Sequence, residues 1–149
     1  MTKLILSAKY IPIIGEGKAR WNNVHVADLA QLYLLLAEAG AAGRRDNDLW
    51  GGNVYYLVEG GEHLWSDIAT QIGKEAEKQG FVQSLESRSL SRDAALEQAG
   101  FEAESWGMNS RGKAERAGKV LGWKPTAPSL EDTVPDIVKS EYERLQKSK

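Results

Sequence analysis

The stretch GEGKARWNNVHVADLAQLYLLLAEA, Gly15 to Ala39, decides how this chain is read. It opens on Gly15-x-Gly17, which has the look of a dinucleotide-binding fingerprint. Such a fingerprint works only directly after a strand and directly before a helix, because the helix N-terminus must face a pyrophosphate and the backbone must approach it closely. Here Lys18, Ala19 and Arg20 follow, no third glycine comes, and Asn23 to Val26 alternates polar and apolar residues as a short strand does. The glycine pair therefore reads as a β-turn. Asp28 comes next as the N-cap of a helix over Leu29 to Ala39 that Gly40 ends. Apolar residues wrap nearly the whole of that helix, which predicts burial on more than one side.

Working outward, Thr2 to Lys9 reads as a short helix and Tyr10 to Ile14 as a strand, with Pro12 marking an edge. Val54 to Val58, aromatic and β-branched and stopped by Gly60-Gly61, is the most convincing strand. Trp65, Ile68, Ala69, Ile72 and Ala76 make an apolar stripe on a helix from Trp65 to Gln79, closed by Gly80. Phe81 to Leu85 is a further candidate strand, and Ser91 caps a short helix ending at Gly100. Ser110 is placed to cap Arg111 to Leu121, with Gly122 and Pro125 beyond it. Ser129 and Asp132 open a last helix to Gln146 with Pro135 inside it. The fold class expected is α/β: a single helix-rich domain over residues 1–149, with few short strands.

Composition narrows the function. With 19 Lys and Arg against 21 Asp and Glu, both signs interspersed, the chain lacks the basic field of a nucleic-acid binder. It has no cysteine and two histidines, which removes disulfides, thiolate zinc sites and a Cys nucleophile and argues against a transition-metal site. The apolar run Leu32 to Ala37 is far shorter than the ~20 residues that cross a bilayer, and the first residues lack a charged n-region followed by a long apolar h-region, so no signal peptide is expected. A cytoplasmic protein is the expectation. A Tyr-x-x-x-Lys pair, in which the ammonium lowers the phenol pKa, is also missing: four residues after Tyr10, Tyr33, Tyr55, Tyr56 and Tyr142 stand Ile14, Ala37, Glu59, Gly60 and Gln146.

In combination, the segments resemble a known family. Gly15 to Ala30, with its V-H-V-A-D-L-A string, resembles the stretch that follows the catalytic tyrosine and lysine in extended and atypical short-chain dehydrogenases, the NAD-dependent epimerase/dehydratase family. Asn53 to Gly60 resembles that family's last Rossmann strand, Trp65 to Gly73 its next helix, and Ser110 to Pro125, with its L-G-W-K-P, its ending. Ala27 departs from the pattern, since the family commonly has an acid beside the aspartate. The resemblance implies a partial Rossmann-like domain: the C-terminal, substrate-binding half of such an enzyme, with the glycine-rich unit and the Tyr/Lys pair outside this chain. It implies no cofactor site here, since NAD(P) would need the other half. An independent isomerase or cyclase and a non-catalytic regulatory protein are the alternatives.

His25, three residues before Asp28, is the candidate for acid–base chemistry, although a histidine bonded to a neighbour for structural reasons is the commoner arrangement. His63, beside Gly60-Gly61, is read as exposed. Arg20, Trp21, Asn22 and Asn23 form one substrate-binding candidate, an arginine with two amides and an indole. Trp106, Asn109 and Arg111 form the other, where the resemblance implies a loop whose arginine meets an anionic group of a small-molecule ligand. If the sheet partners of Val54 to Val58 lie outside the chain, an apolar strand edge and the Leu29 to Ala39 helix need cover, which predicts a homodimer.

Overall fold

The computed structural model describes residues 1–52 and 54–148. Its elements run α1 (Thr2–Ala8), β1 (Ile11–Ile14), β2 (Arg20–Asn23), α2 (Val26–Ala41), β3 (Gly61–Leu64), α3 (Trp65–Lys78), β4 (Ser87–Leu90), α4 (Arg92–Ala99), a 3₁₀ helix (Phe101–Gly107), α5 (Glu115–Leu121) and α6 (Leu130–Lys147). The fold is thus mixed α and β with helix dominant. Two compact units form, each from segments remote in sequence: residues 1–21, 63–110 and 131–149 in one, 22–62 and 111–130 in the other.

In the first unit β1 and β4 pair in parallel, from Ile11 opposite Ser87 to Ile14 opposite Leu90. Both strands of a two-stranded sheet are edges, so Pro12, which cannot donate to a ladder, is tolerated there. The expected strand Phe81 to Leu85 does not form; the chain reaches β1 only later, where Ile11 N–H donates to Glu86 O (2.9 Å). Phe81 instead stacks on Tyr142 of α6 with ring centroids 3.9 Å apart. The expected stripe on α3 holds: Ile68, Ala69, Ile72 and Ala76 are buried, and the helix ends one residue before Gln79. Gly73 continues the stripe because β1 comes too close for a side chain, a Cβ there falling 2.6 Å from Ile11 Cδ1. Ser91 caps α4 as expected, its hydroxyl accepting from Ala94 N–H (3.2 Å). Leu4, Ile14, Ala95, Ala103 and Trp106 form the core cluster beneath these elements.

The second unit is built on α2, which begins earlier than its sequence suggests. His25 is the N-cap, its Nδ1 accepting from Ala27 N–H (3.1 Å). Residues expected as a strand, Asn23 to Val26, are therefore divided between the end of β2 and the helix start. Asp28, expected as the cap, lies in the first turn and is buried. On α2 only Asp28, Leu32 and Ala39 are buried, while Val26, Tyr33 and Leu34 stand 74%, 66% and 57% exposed. Burial on several sides is not what forms: one face packs on Ala117 and Trp123, and a second apolar face is open.

Two more expectations fail here. Val54 to Val58 is no strand among the described residues, although its side chains keep the period of one: Tyr55 and Leu57 are exposed, and Tyr56 and Val58 pack on the Leu32 cluster. Alternation alone does not make a strand without a neighbour to complete the ladder. Asn53, the first residue of that segment's family resemblance, lies outside the described residues. Ser110 does not cap a helix at Arg111 either. Helix α5 starts at Glu115, and the Glu59 carboxylate accepts from Ala114 N–H (3.2 Å), taking over the work of a cap.

Candidate functional site

Strand β2, the Arg20 to Asn23 candidate, pairs with β3. Along β2 the residues of the second candidate, 106–111, come to hand. In the first unit Arg20 N–H donates to Asn109 Oδ1 (2.8 Å) and Trp21 Nε1–H to Met108 O (2.8 Å). Ser110 N–H donates to Arg20 O (2.9 Å), closing a parallel bridge between Trp21 and Ser110. This is where Ser110's bonding capacity goes in place of a helix cap.

In the second unit the same lacing continues. Asn22 accepts a short hydrogen bond from Gly112 N–H through its side-chain oxygen, and Asn23 O accepts from Gly60 N–H (2.8 Å). Gly61 leaves room for the Asn23 amide, whose Oδ1 would lie 3.1 Å from a Cβ there. Arg111 Nε donates to Glu62 Oε2 (2.5 Å) from a side chain that is 62% exposed, so its guanidinium is engaged at the surface.

Not every candidate is displayed for a ligand. Trp106 is 4% exposed, packed among Leu4, Ile14, Ala95 and Ala103. His63, expected to be exposed, is buried, and its ring meets Trp65 edge-on at 4.7 Å. The signal was the alternation Gly61-Glu62-His63-Leu64, whose third residue faces inward in β3. Trp65 in turn sits 5.8 Å from Trp21, and its buried Nε1–H donates to no acceptor among the described residues.

Beside these residues the first unit holds a cleft of about 320 Å³, whose lining includes Gly15, Glu16, Lys18, Arg92, Glu104 and Asn109, with Met108. Lys18 pairs with Glu16 (2.8 Å) and Arg92 with Glu104, so the cleft presents polar groups whose charges balance. Gly15 lines its wall, and the glycine pair forms a turn there. Gly15 and Gly17 have φ of +56° and +70°, and a Cβ on Gly17 would fall 3.0 Å from Ile13 and 3.1 Å from Ser66, whose hydroxyl donates to Gly17 O (2.7 Å). The turn amides are spent internally: Gly15 N–H on Leu90 O, Gly17 N–H on Ile14 O. That leaves neither of them to cradle a phosphate.

In the second unit, two of the sequence strings that carry the resemblance meet. Asp28, from V-H-V-A-D-L-A, accepts from Thr126 N–H (2.9 Å) and Ala127 N–H (3.1 Å) just past L-G-W-K-P, and Trp123 Nε1–H donates to Asp28 O (2.9 Å). A buried carboxylate is stable in such a place only because it is bonded by several donors.

No family model matches the chain. The chain is similar to the oxidase ucsJ of an Acremonium species. The two are 34% identical over 151 residues, which cover 97% of this chain and 43% of the oxidase. It thus spans less than half the length of that curated relative. Among the described residues, no three His, Asp or Glu side chains are grouped to hold a metal ion, and no helix is long and apolar enough to cross a membrane.

Proposed function

We propose that this chain is the substrate-binding part of an extended short-chain dehydrogenase-like oxidoreductase, holding a small polar molecule and moving no hydride by itself. The observation that carries this reading is the union of the two strings through Asp28. Their order and wording resemble the family's, and a buried carboxylate spanning them explains why such a pair of strings would travel together. Similarity to a protein named an oxidase supports a place in redox chemistry, and the difference in length supports a division of labour in which the dinucleotide is held elsewhere.

The ligand would lie in the cleft at Asn109 and Met108. Its volume, about 320 Å³, suits a compact metabolite, and its paired charges favour a neutral, hydroxyl- or carbonyl-bearing one over a strong anion. Lys18 and Arg92 would donate to oxygen atoms, and Met108 would cover an apolar edge. The test is a saturation-transfer NMR screen of small polyols, hydroxy-ketones and sugars. A hit should bind about tenfold more weakly to Lys18→Ala while thermal stability stays unchanged, since that lysine is exposed. Hits indifferent to Lys18→Ala and Arg92→Ala would overturn the assignment of the cleft.

A further inference from the structure

Asn109 enters the cleft with its side-chain amide already oriented. Its Oδ1 accepts from Arg20 N–H (2.8 Å), and a backbone N–H can only donate, so the oxygen must be the atom that faces β2. The same stretch is laced to β2 on either side: Trp21 Nε1–H donates to Met108 O (2.8 Å) and Ser110 N–H to Arg20 O (2.9 Å). The amide therefore cannot turn over without giving up its bond and setting donor against donor. What it has left is Nδ2, which donates to no acceptor among the described residues, on a residue that lines the cleft.

The other donors of the cleft are placed differently. Lys18 bonds Glu16 (2.8 Å) and Arg92 pairs with Glu104, so each cation must share or leave a carboxylate to meet a ligand. Their side chains, 82% and 60% exposed, also keep rotamer freedom that a ligand would have to remove. Asn109 bears neither cost. It is neutral and fixed before anything binds, and a polar group ordered in advance is the one that discriminates between ligands. Ile14, Ala19 and Met108 line the same cleft and offer apolar contact to a carbon skeleton.

We propose that Asn109 is the specificity-determining residue of this cleft, its Nδ2 donating to the carbonyl oxygen of a small ketone. Nδ2 offers only hydrogens, so it reads an acceptor and turns away an amine or ammonium. A carbonyl suits it better than a hydroxyl does, because a carbonyl brings lone pairs and no hydrogen of its own to be left unsatisfied. The inference rests on the cleft being a ligand site and adds which atom of the protein reads the ligand.

The test is heteronuclear NMR of the chain titrated separately with cyclohexanone and cyclohexanol, which differ only in carbonyl against hydroxyl. The Asn109 side-chain amide resonance, assigned through bonds to its own backbone, should shift saturably with cyclohexanone. In Asn109→Asp one oxygen still accepts from Arg20 N–H while the donor becomes a second acceptor. That variant should keep the Arg20 amide protected from exchange and the melting temperature near the parent's. It should bind cyclohexanone about tenfold more weakly and cyclohexanol much less so, since a hydroxyl can turn and donate to the carboxylate. An asparagine that only holds the loop would leave the ratio of the two affinities unchanged. Equal weakening of both probes, or cyclohexanone shifts at Lys18 and Arg92 with none at the Asn109 side-chain amide, would overturn the role of Asn109 and leave the cleft as a ligand site. No shift of any cleft resonance with either probe at millimolar concentration would overturn both.

Discussion

The indole N–H of Trp123 donates to the backbone carbonyl of Asp28 at 2.9 Å, joining residues 95 positions apart in the second unit. The Asp28 carboxylate returns the contact by holding Thr126 N–H and Ala127 N–H. Together these bonds pin the loop after α5 to the first turn of α2. Removing the carboxylate strands two amides that are partly out of water. Asp28→Ala should therefore lower unfolding stability by about 3 kcal/mol, and Asp28→Asn by less because one acceptor oxygen remains. Urea unfolding of the variants checks this, and an Asp28→Ala protein as stable as the parent would show that the loop is held by packing alone.

His25 was a candidate for proton transfer, and the structure gives its Nδ1 the work of an N-cap. His25→Ala should cost about 1 kcal/mol, whereas His25→Asn or His25→Asp, which restore an acceptor, should cost much less. Thermal unfolding of the three variants separates a capping role from a merely packed ring, for which alanine and asparagine would be equally harmful.

Much of this was legible in the sequence, and the failures share a cause. The stripe on α3 depends on local periodicity, and it was readable. So was the Ser91 cap, which is settled within one turn. By contrast, Phe81 to Leu85 and Ser87 to Leu90 are separated only by which of them reaches β1, a contact across more than seventy residues. Ser110 has a hydroxyl suited to capping, yet its backbone is claimed by Arg20, and the helix starts later. Within the candidate site, the stretches 20–23 and 106–111 were each visible. Their meeting along β2 was not, because nothing in the spacing of either stretch encodes it. Trp106 was misleading for a related reason: an indole suits a ligand and a core equally well, and only its neighbours decide.

Acid should weaken the first unit through its surface carboxylates. A hydrogen bond from the Arg144 guanidinium holds the Glu141 carboxyl below its ordinary range, and Gln79, with Lys78, does the same for Glu75. A depressed folded-state pKa means that the unfolded chain binds the proton first, so stability is present at neutral pH and lost as pH falls through the folded-state values. Melting temperature should decline below about pH 4, the ordinary range of glutamate, with the decline shallower in Glu141→Gln. A Glu141→Gln profile parallel to the parent's throughout would mean that this ion pair contributes nothing across that range.

The division between ligand binding here and dinucleotide binding elsewhere is tested most directly by titrating the chain with NADH and NADPH, following both calorimetric heat and the fluorescence of its five tryptophans. The turn at Gly15 and Gly17 spends its amides on Leu90 and Ile14, and no tyrosine is followed four residues later by lysine. No saturable binding should appear at micromolar dinucleotide. Stoichiometric binding in that range, weakened by substitutions at the Gly15 to Gly17 turn, would contradict the proposed function.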